Sequence, residues 1–526
     1  MPIRSTRREV LAAGLAAGAL PFVPRPALAE GPAMGEPVPF SFDMLRDMAQ
    51  SLAATPYVQP VIEDDALLES IDYDLHNQIT YRADRMLWGD VPGAAKVRFF
   101  HPGRYFKLPV QIYDLKDGQA RELKFSTDLF DMPADHPARK LTHAGFAGFA
   151  VMDPEAEHDW LAVLGASYFR TSGYSGQFGM SARGLAIDSG GPGPEEFPRF
   201  TRFWLEQAED GGLVIYALLE SQRATGAYRM ATAHHDGVFQ DIDAALFLRG
   251  DIARLGIAPL TSMFWYGKNN HFLGPDWRPE IHDSDGLEML LASGERIWRP
   301  LNNPPRVMAN AFRADNVRGF GLAQRERSFE EYQDDGVFYE KRATVWVEPQ
   351  GDWGEGSVML IELSTNDEIH DNIGAFWNPL AAAAPGSRYD LHYKVSWVKD
   401  SPPLTVARFI ATRIGIGGVP GQARPANQVK FVLDLDGRGL EGLDRSSGVE
   451  AVVSASRGEV SLVYAYPIAT TDRWRVTFDL NFGAADQPDD PIDLRLYLRH
   501  KDQAMSETWL YQVFPSQLHE LLGEHA

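Results

Sequence analysis

The stretch Ser357-Val358-Met359-Leu360-Ile361-Glu362-Leu363 has the length and the residue types of a β-strand. Residues 95–100 and 213–218 have the same character, and short apolar-polar alternations cut by Gly, Pro, Asp and Asn continue to about residue 398. There is no alternation of strands with long helices. We therefore predict an all-β protein whose main unit is a large antiparallel β-sandwich or a distorted barrel.

Helical periodicity is confined to short segments. Residues 42–54, 241–247 and 328–334 carry apolar residues at helical spacing. We predict short helices in these three places and none of the length that a doubly wound α/β fold requires.

A second unit is predicted at the C-terminus. Residues 399–404 read Lys-Asp-Ser-Pro-Pro-Leu, and proline lacks the amide donor that a strand needs. Six strand-like segments follow, and in residues 474–480 apolar and polar side chains alternate. We predict a main unit over residues 30–398, a linker over 399–406 and an immunoglobulin-like β-sandwich over 407–526. The Ala-Ala-Ala-Ala-Pro stretch 381–385 is a competing boundary.

The N-terminus has the pattern of an export signal. Paired arginines, Arg7 and Arg8, precede an apolar run over residues 12–23 and the small-x-small sequence Ala27-Leu28-Ala29. The run is shorter than the roughly 20 residues of a membrane span, and prolines interrupt it. We predict that residues 1–29 form a cleaved signal of the twin-arginine type and that the mature protein is periplasmic.

Composition excludes some functions. Fifty Lys and Arg against 72 Asp and Glu give a net charge of −22, which repels nucleic acid. The absence of cysteine excludes a thiolate nucleophile or ligand. The 11% of aromatic residues permits stacking on sugars, although large β-sheet cores also use aromatics. No motif for a dinucleotide, a metal or a serine nucleophile has the required spacing, so we predict no cofactor and no metal.

Two polar loops contain clustered acids. Residues 277–287 include Asp283, and residues 364–373, which follow the strand quoted above, include Asp371. Glycoside hydrolysis requires one carboxylic acid that protonates the leaving oxygen and one carboxylate that activates water. Asp and Asn also cap ordinary turns, so spacing alone leaves both interpretations open.

Several strings are recognisable. The sequence closely resembles the periplasmic glucan biosynthesis proteins G and D through most of the main unit and more weakly beyond it. The strings that carry the resemblance are LGASYFR (164–170), EFP (196–198), APLTSMF (258–264), RPEIHDS (278–284), IWRPLNNP (297–304), GFGLAQR (319–325) and TNDEIHDNI (365–373).

The resemblance implies a galactose-mutarotase-like β-sandwich joined to an immunoglobulin-like domain. It also implies a role in making osmoregulated periplasmic glucans, most directly as an inverting endo-β-1,2-glucanase that acts on linear β-1,2-glucan. By position, Asp371 is then the general acid, and Asp283 is the general base, acting through a relay of water and sugar hydroxyls. Glu368 and Tyr339 match positions of the sugar site.

Other residues are weaker candidates. Arg170 and Tyr174 lie in a string that is expected to line the sugar site, and Trp298, Trp346 and Tyr339 are candidate stacking platforms, with core aromatics as the alternative. His370 departs from the family, because relatives have Asn before the acid. The resemblance also implies a homodimer and an association with membrane glucan synthase machinery. A glucan-binding scaffold without catalysis and a glucan transglycosylase stay open as alternatives.

Overall fold

The computed structural model describes residues 31–141, 144–165, 167–208, 211–483 and 489–523. The export signal predicted for residues 1–29 lies outside the described residues. Strands predominate in the described part, most pairs are antiparallel, and the prediction of an all-β sandwich is confirmed. The segment quoted at the outset lies in the strand Glu355–Glu362.

The first sheet contains 16 strands among the described residues. In spatial order they are Val38–Pro39, Gln119–Glu122, Gln111–Lys116, Arg199–Gln207, Leu213–Glu220, Ala224–His234, Val238–Leu248, Arg388–Val398, Thr344–Pro349, Gly319–Ala323, Gly286–Leu290, Arg296–Pro300, Thr508–Val513, Ile492–His500 and Val449–Ala455, with Gln503–Ala504 beside Ile492–His500.

The second sheet contains ten strands of the described chain. In spatial order they are Met308–Asp315, Glu355–Glu362, Ile373–Pro379, Leu255–Ser262, Ser181–Arg183, Tyr168–Thr171, Asp159–Leu164, Gly148–Met152 and Lys96–Phe100, with Leu185–Ile187 beside Leu255–Ser262. Its inner side chains and those of the first sheet form the main hydrophobic core, in which Trp377 and Trp397 are fully buried.

A third sheet forms the C-terminal layer. Its strands, in spatial order, are Phe409–Ile416, Gln428–Leu435, Trp474–Asn481 and Glu459–Pro467. It packs on the last strands of the first sheet around a separate core that includes Phe431, Phe478 and Trp509. Two pairs of short strands, Phe264–Tyr266 with Ile281–His282 and Thr80–Tyr81 with Phe130–Asp131, complete the sheets.

Helices are short and peripheral. The α-helices are Phe42–Ala53, Asp65–Ser70, Tyr73–His76, Phe329–Tyr332 and Pro515–Gly523, and the 3-10 helices are Ala83–Arg85, Thr127–Leu129, Pro137–Lys140, His271–Leu273 and Tyr339–Lys341. The helix at 42 begins at Ser41, whose Oγ accepts from Met44 N at 3.2 Å, and it buries Leu45 and Ala49 on the outer face of the first sheet. No helix in the described ranges is long and apolar enough to cross a membrane.

Two of the three helix predictions are confirmed, at residues 42–54 and 328–334. The third is wrong, because residues 241–247 lie in the strand Val238–Leu248. That strand pairs on both sides, with Ala224–His234 and with Arg388–Val398. Full pairing of its backbone and burial of alternate side chains outweigh the helix propensity of its alanines and leucine.

The C-terminal layer is joined to the main unit by buried charges. Trp298 pairs in parallel with Trp509 across the first sheet. Beside this pair, the buried guanidinium of Arg325 donates to Glu507 at 2.6 and 3.0 Å and to the carbonyl of Phe409 in the third sheet at 2.6 Å, and it lies 3.3 Å from Glu288. Its central carbon stands 3.5 Å from the centre of the Trp298 ring. Each charge is paired, so burial of the group is tolerated.

Replacement of Glu507 by Ala should be strongly destabilising. It removes the bidentate partner of Arg325 and leaves the buried guanidinium with Glu288 as its remaining carboxylate, which costs roughly 3 to 5 kcal/mol. Urea unfolding followed by tryptophan fluorescence measures the loss. Glu450→Ala is the matched control, because its pair with Arg499 is exposed and its loss should be barely measurable. Equal effects of the two variants would contradict this account of the junction.

Candidate active site

An open cavity of about 960 Å³ lies at the edge of the second sheet. The loop that joins the strands Glu355–Glu362 and Ile373–Pro379 forms most of its wall, and Arg170 from the strand Tyr168–Thr171 closes one side. The cavity is therefore built from the end of a strand, the loop that follows it and a more distant strand of the same sheet. Its polar lining and open shape suit a hydrated, chain-like ligand.

Asn372 fixes the end of this loop. Its side-chain oxygen accepts from Phe264 N at 2.8 Å, and its amide nitrogen donates to the carbonyls of Phe264 and Leu363 at 2.9 and 3.0 Å. The residue is 2% exposed. At the other end, Asn303 exchanges two hydrogen bonds with the backbone of Thr365, at 2.7 and 2.9 Å. The loop is thus held at both ends.

Asp371 lies immediately before Asn372 and faces the cavity. The residue is solvent-exposed, yet the surrounding protein atoms partly desolvate its carboxyl and raise its pKa, while the Arg170 guanidinium acts in the opposite direction. The exposed histidine His370 lines the same cavity. A carboxyl with a raised pKa and an open approach can donate a proton to a bound ligand.

Asp283 supplies a second carboxyl. It follows the short strand Ile281–His282, and its amide donates to Met263 O at 2.8 Å. The side chain is 11% exposed and lies 3.2 Å from Nε of Arg342. Burial raises the pKa of Asp283 to about 6, Arg342 and His282 oppose the rise, and the charges of Asp371 and Glu368 add to it. The two aspartates therefore lie within electrostatic range of each other.

A clamp of three side chains stands beside the two aspartates. Glu368 accepts from both terminal nitrogens of Arg278, at 2.9 and 3.0 Å, and from the Tyr339 hydroxyl at 2.6 Å. Arg278 also reaches Asp334 at 2.6 Å. Burial and the Glu368 carboxylate raise the pKa of Tyr339, so the phenol stays neutral and donates. Glu368 is accordingly a fixed anion at the site.

Behind Asp283 lies a buried acidic group that resembles a metal site in composition. Ligand atoms of Glu280, His282 and Asp285 lie within 4.8 Å of one another. The Lys268 ammonium, however, forms ion pairs with Glu280, with Glu326 at 2.7 Å and with Glu331 at 3.2 Å. The lysine already supplies the positive charge that a metal would bring, so the group has the character of an ion-pair cluster.

The structure brings five of the seven sequence-predicted residues to this region: Asp371, Asp283, Glu368, Tyr339 and Arg170. Tyr174 lies on a different cavity of about 650 Å³ with Trp160 and His234, and its ring packs against Arg327. Trp298 is 4% exposed and belongs to the C-terminal core. The prediction that it stacks on sugar is therefore corrected, because both its burial and the overlying Arg325 exclude a ligand. Trp346 and Tyr339 are likewise 4% exposed, so the prediction that they stack on sugar is corrected as well.

Sequence reasoning missed three contributors: Arg342, Arg278 and Asn372. Arg278 and Asn372 lie in the sequence strings quoted above, but their roles depend on contacts that exist only in the folded protein. Arg342 depends on a glycine, because a Cβ at Gly179 would stand 2.7 Å from Arg342 Cδ. Pairing between residues distant in sequence leaves no local signal, so spacing could not reveal these contacts.

Replacement of Asp283 by Asn should stabilise the fold in a pH-dependent way. The native pKa of about 6 lies above the ordinary 3.8, so the ionised native carboxyl costs stability as pH rises through 6. Asn mimics the protonated acid and avoids that cost. Relative to the wild type, the variant should gain up to about 3 kcal/mol between pH 4 and pH 8.

Urea unfolding at the two pH values measures the gain. Asp502→Asn, on an exposed turn, controls for the loss of one negative charge from the whole protein. A gain that is the same at both pH values would contradict a raised native pKa for Asp283.

Comparison of the sequence with known proteins identifies relatives that are glucan biosynthesis proteins. The sequence model of a family described as "Periplasmic glucan biosynthesis protein, MdoG" matches residues 40–513. The chain is 46% identical to glucans biosynthesis protein D 2 of Ralstonia nicotianae, over 97% of this chain and 98% of that protein. It is 46% identical to glucans biosynthesis protein D of Xanthomonas oryzae pv. oryzae, over 98% of each, and 45% identical to its namesake in Stenotrophomonas maltophilia, over 95% and 96%.

Proposed function

The chain belongs to the periplasmic glucan biosynthesis family, and we propose that it is an inverting endo-β-1,2-glucanase of the periplasm. Family membership supports a role in glucan biosynthesis and a glucan ligand. Linkage, stereochemistry and cleavage are our proposal. The observation that supports it is the proximity of two carboxyls in different environments: Asp371 is exposed on the open cavity, and the buried Asp283 lies within electrostatic range of it.

The two environments suit different roles. A bound sugar chain would cover Asp371 and remove more of its water, which raises the pKa of that carboxyl further and keeps the proton available for the leaving oxygen. Asp283 is already buried, and Arg342 favours its ionised form. Asp371 is thus the general acid, and Asp283 is the general base that acts through a relay of water and sugar hydroxyls.

The clamp around Glu368 serves to hold the substrate. The Glu368 side chain is 31% exposed and can accept from glucan hydroxyls, while the buried Tyr339 donates to the same carboxylate and holds it in place. Arg170 lies across the cavity and can donate to sugar oxygens while it limits the pKa of Asp371. Tyr174 lines a different cavity and has no part in this proposal.

The setting of the reaction is also part of the proposal. We assign the mature protein to the periplasm, where linear β-1,2-glucan would reach it from the membrane glucan synthase machinery. A homodimer remains our expectation from the family resemblance. Analytical ultracentrifugation of the mature chain measures its oligomeric state directly.

Chemical rescue should separate the two carboxyls. Asp371→Asn and Asp283→Asn should each lower kcat on linear β-1,2-glucan by roughly 10²- to 10⁴-fold. A β-1,2-glucooligosaccharide with a 4-nitrophenol leaving group needs no proton donor, so it should restore most of the rate of Asp371→Asn only. Azide replaces the activated water, so it should restore Asp283→Asn only and yield an α-glycosyl azide, the inverted product.

The same experiment tests the competing functions. Intact glucan that still binds to the wild type would establish a scaffold and overturn the hydrolase. Products longer than the starting chains would establish transfer. Rescue in the reverse pattern would exchange the roles of Asp371 and Asp283.

The pH dependence of the rate should show the influence of Arg342 on the ionisation of Asp283. Activity should rise with pH as Asp283 ionises, with a midpoint near 6 in the free enzyme. Arg342→Met removes the cation that favours ionisation, so the midpoint of kcat/KM should move to higher pH, whereas Arg342→Lys should move it less. Arg313→Met, whose pair with Glu355 is exposed, is the control. An unchanged midpoint in Arg342→Met would exclude Asp283 as the titrating base.

A further inference from the structure

A stack of three side chains stands on the same face of the second sheet as the catalytic cavity. The guanidinium carbon of Arg183 lies 4.9 Å from the ring centre of Tyr168 and 4.9 Å from that of Phe197. Arg183 is 4% exposed, and its Nη1 donates to Glu195 at 2.7 Å. The charge in the middle of the stack is therefore buried, paired and fixed.

Strand register places this stack relative to the cavity. Arg170 pairs with Ser181, and Tyr168 pairs with Arg183, on neighbouring antiparallel strands. Because side chains alternate along a strand, Tyr168 and Arg170 face the same side, about 7 Å apart along the strand. Arg170 lines the cavity of Asp371, and the Asp371 charge contributes, after burial, to the raised pKa of Tyr168. The stack thus begins where the cavity ends.

Phe197 is the outer layer of the stack. It is 51% exposed although its rear face is covered by Arg183. The preceding residue is anchored, because Glu196 accepts from Arg223 N and Nε at 2.9 and 2.7 Å and donates its own amide to Ile187 O at 3.1 Å. An exposed large aromatic side chain on a fixed backbone is a preformed surface rather than a loose loop residue.

We propose that Phe197 is a sugar-stacking platform that binds a glucosyl unit of the same glucan chain, beyond the units held at Asp371. The inference rests on the proposed function for the identity of the ligand. A pyranose ring offers an apolar face that packs on an aromatic ring, and hydroxyls at its rim remain in water. Because the Phe197 ring is already ordered, binding loses little side-chain entropy.

Binding to an inactive protein tests the platform without turnover. In the Asp371→Asn background, calorimetry with linear β-1,2-glucan and with a β-1,2-linked trisaccharide compares a ligand that extends beyond the cavity with one that does not. Phe197→Ala should weaken binding of the long glucan about 3- to 10-fold and leave the trisaccharide unchanged. Phe197→Tyr keeps the ring and should retain the affinity.

Phe106→Ala is the matched control. Phe106 is 37% exposed and lies after the strand Lys96–Phe100, which is three strands away from Tyr168–Thr171 in the second sheet. Unchanged affinity of Phe197→Ala for the long glucan, or an equal loss for both ligands, would overturn the platform. A change in sedimentation without a change in glucan affinity would overturn it in favour of a protein contact. If Asp371→Asn alone binds neither glucan, the proposed function fails, and the platform fails with it.

Discussion

The buried pairing of Arg325 with Glu507 and Glu288 is the interaction on which the rest of the structure depends. It joins the third sheet to the first because Arg325 also donates to Phe409 O at 2.6 Å and Glu507 accepts from Phe409 N at 2.7 Å, beside the point where Trp298 and Trp509 pair. The backbone of the same arginine, and that of Glu326 at 2.9 Å, donate to the Asp285 carboxylate. Asp285 lies two residues after Asp283, so the charges that hold the two layers together also fix the turn that carries the second carboxyl. The C-terminal layer is consequently part of the wall behind the site.

This arrangement explains why the site tolerates so many charges. Lys268 balances Glu280, Arg278 balances Glu368 and Asp334, and Arg342 stands beside Asp283. Each of these four acids has a cation that the fold holds in place, which limits the cost of its burial. Asp371 differs, because Arg170 approaches it across the open cavity rather than from within the wall. The fold therefore sets the protonation of one carboxyl and leaves the other responsive to what enters the cavity.

Sequence alone predicted the strands well and the contacts poorly. The alternation of Trp474, Val476 and Phe478 indicated a strand with one buried face, and these side chains are buried. The helix prediction for residues 241–247 was wrong. The composition of this segment favours a helix, and only pairing with a strand on each side makes it a strand. The two loops that contain Asp283 and Asp371 could be singled out from their acids and their resemblance to a family. Arg342 could not, because its role depends on Gly179 and Asp283, which are distant in the chain. For Trp298, composition could not distinguish a core aromatic from a surface one.

The contrast between exposed and buried carboxyls has a chemical consequence for a polymer substrate. In the proposed mechanism the general acid Asp371 is only partly desolvated in the free protein, and a bound chain would remove more of its water and raise its already raised pKa further. A general base that is already buried gains nothing from such covering and must be kept ionised by a fixed cation, which Arg342 provides. The two proposed roles therefore require opposite environments: the loop before Ile373–Pro379 supplies the exposed one, and the packed turn after Ile281–His282 supplies the buried one.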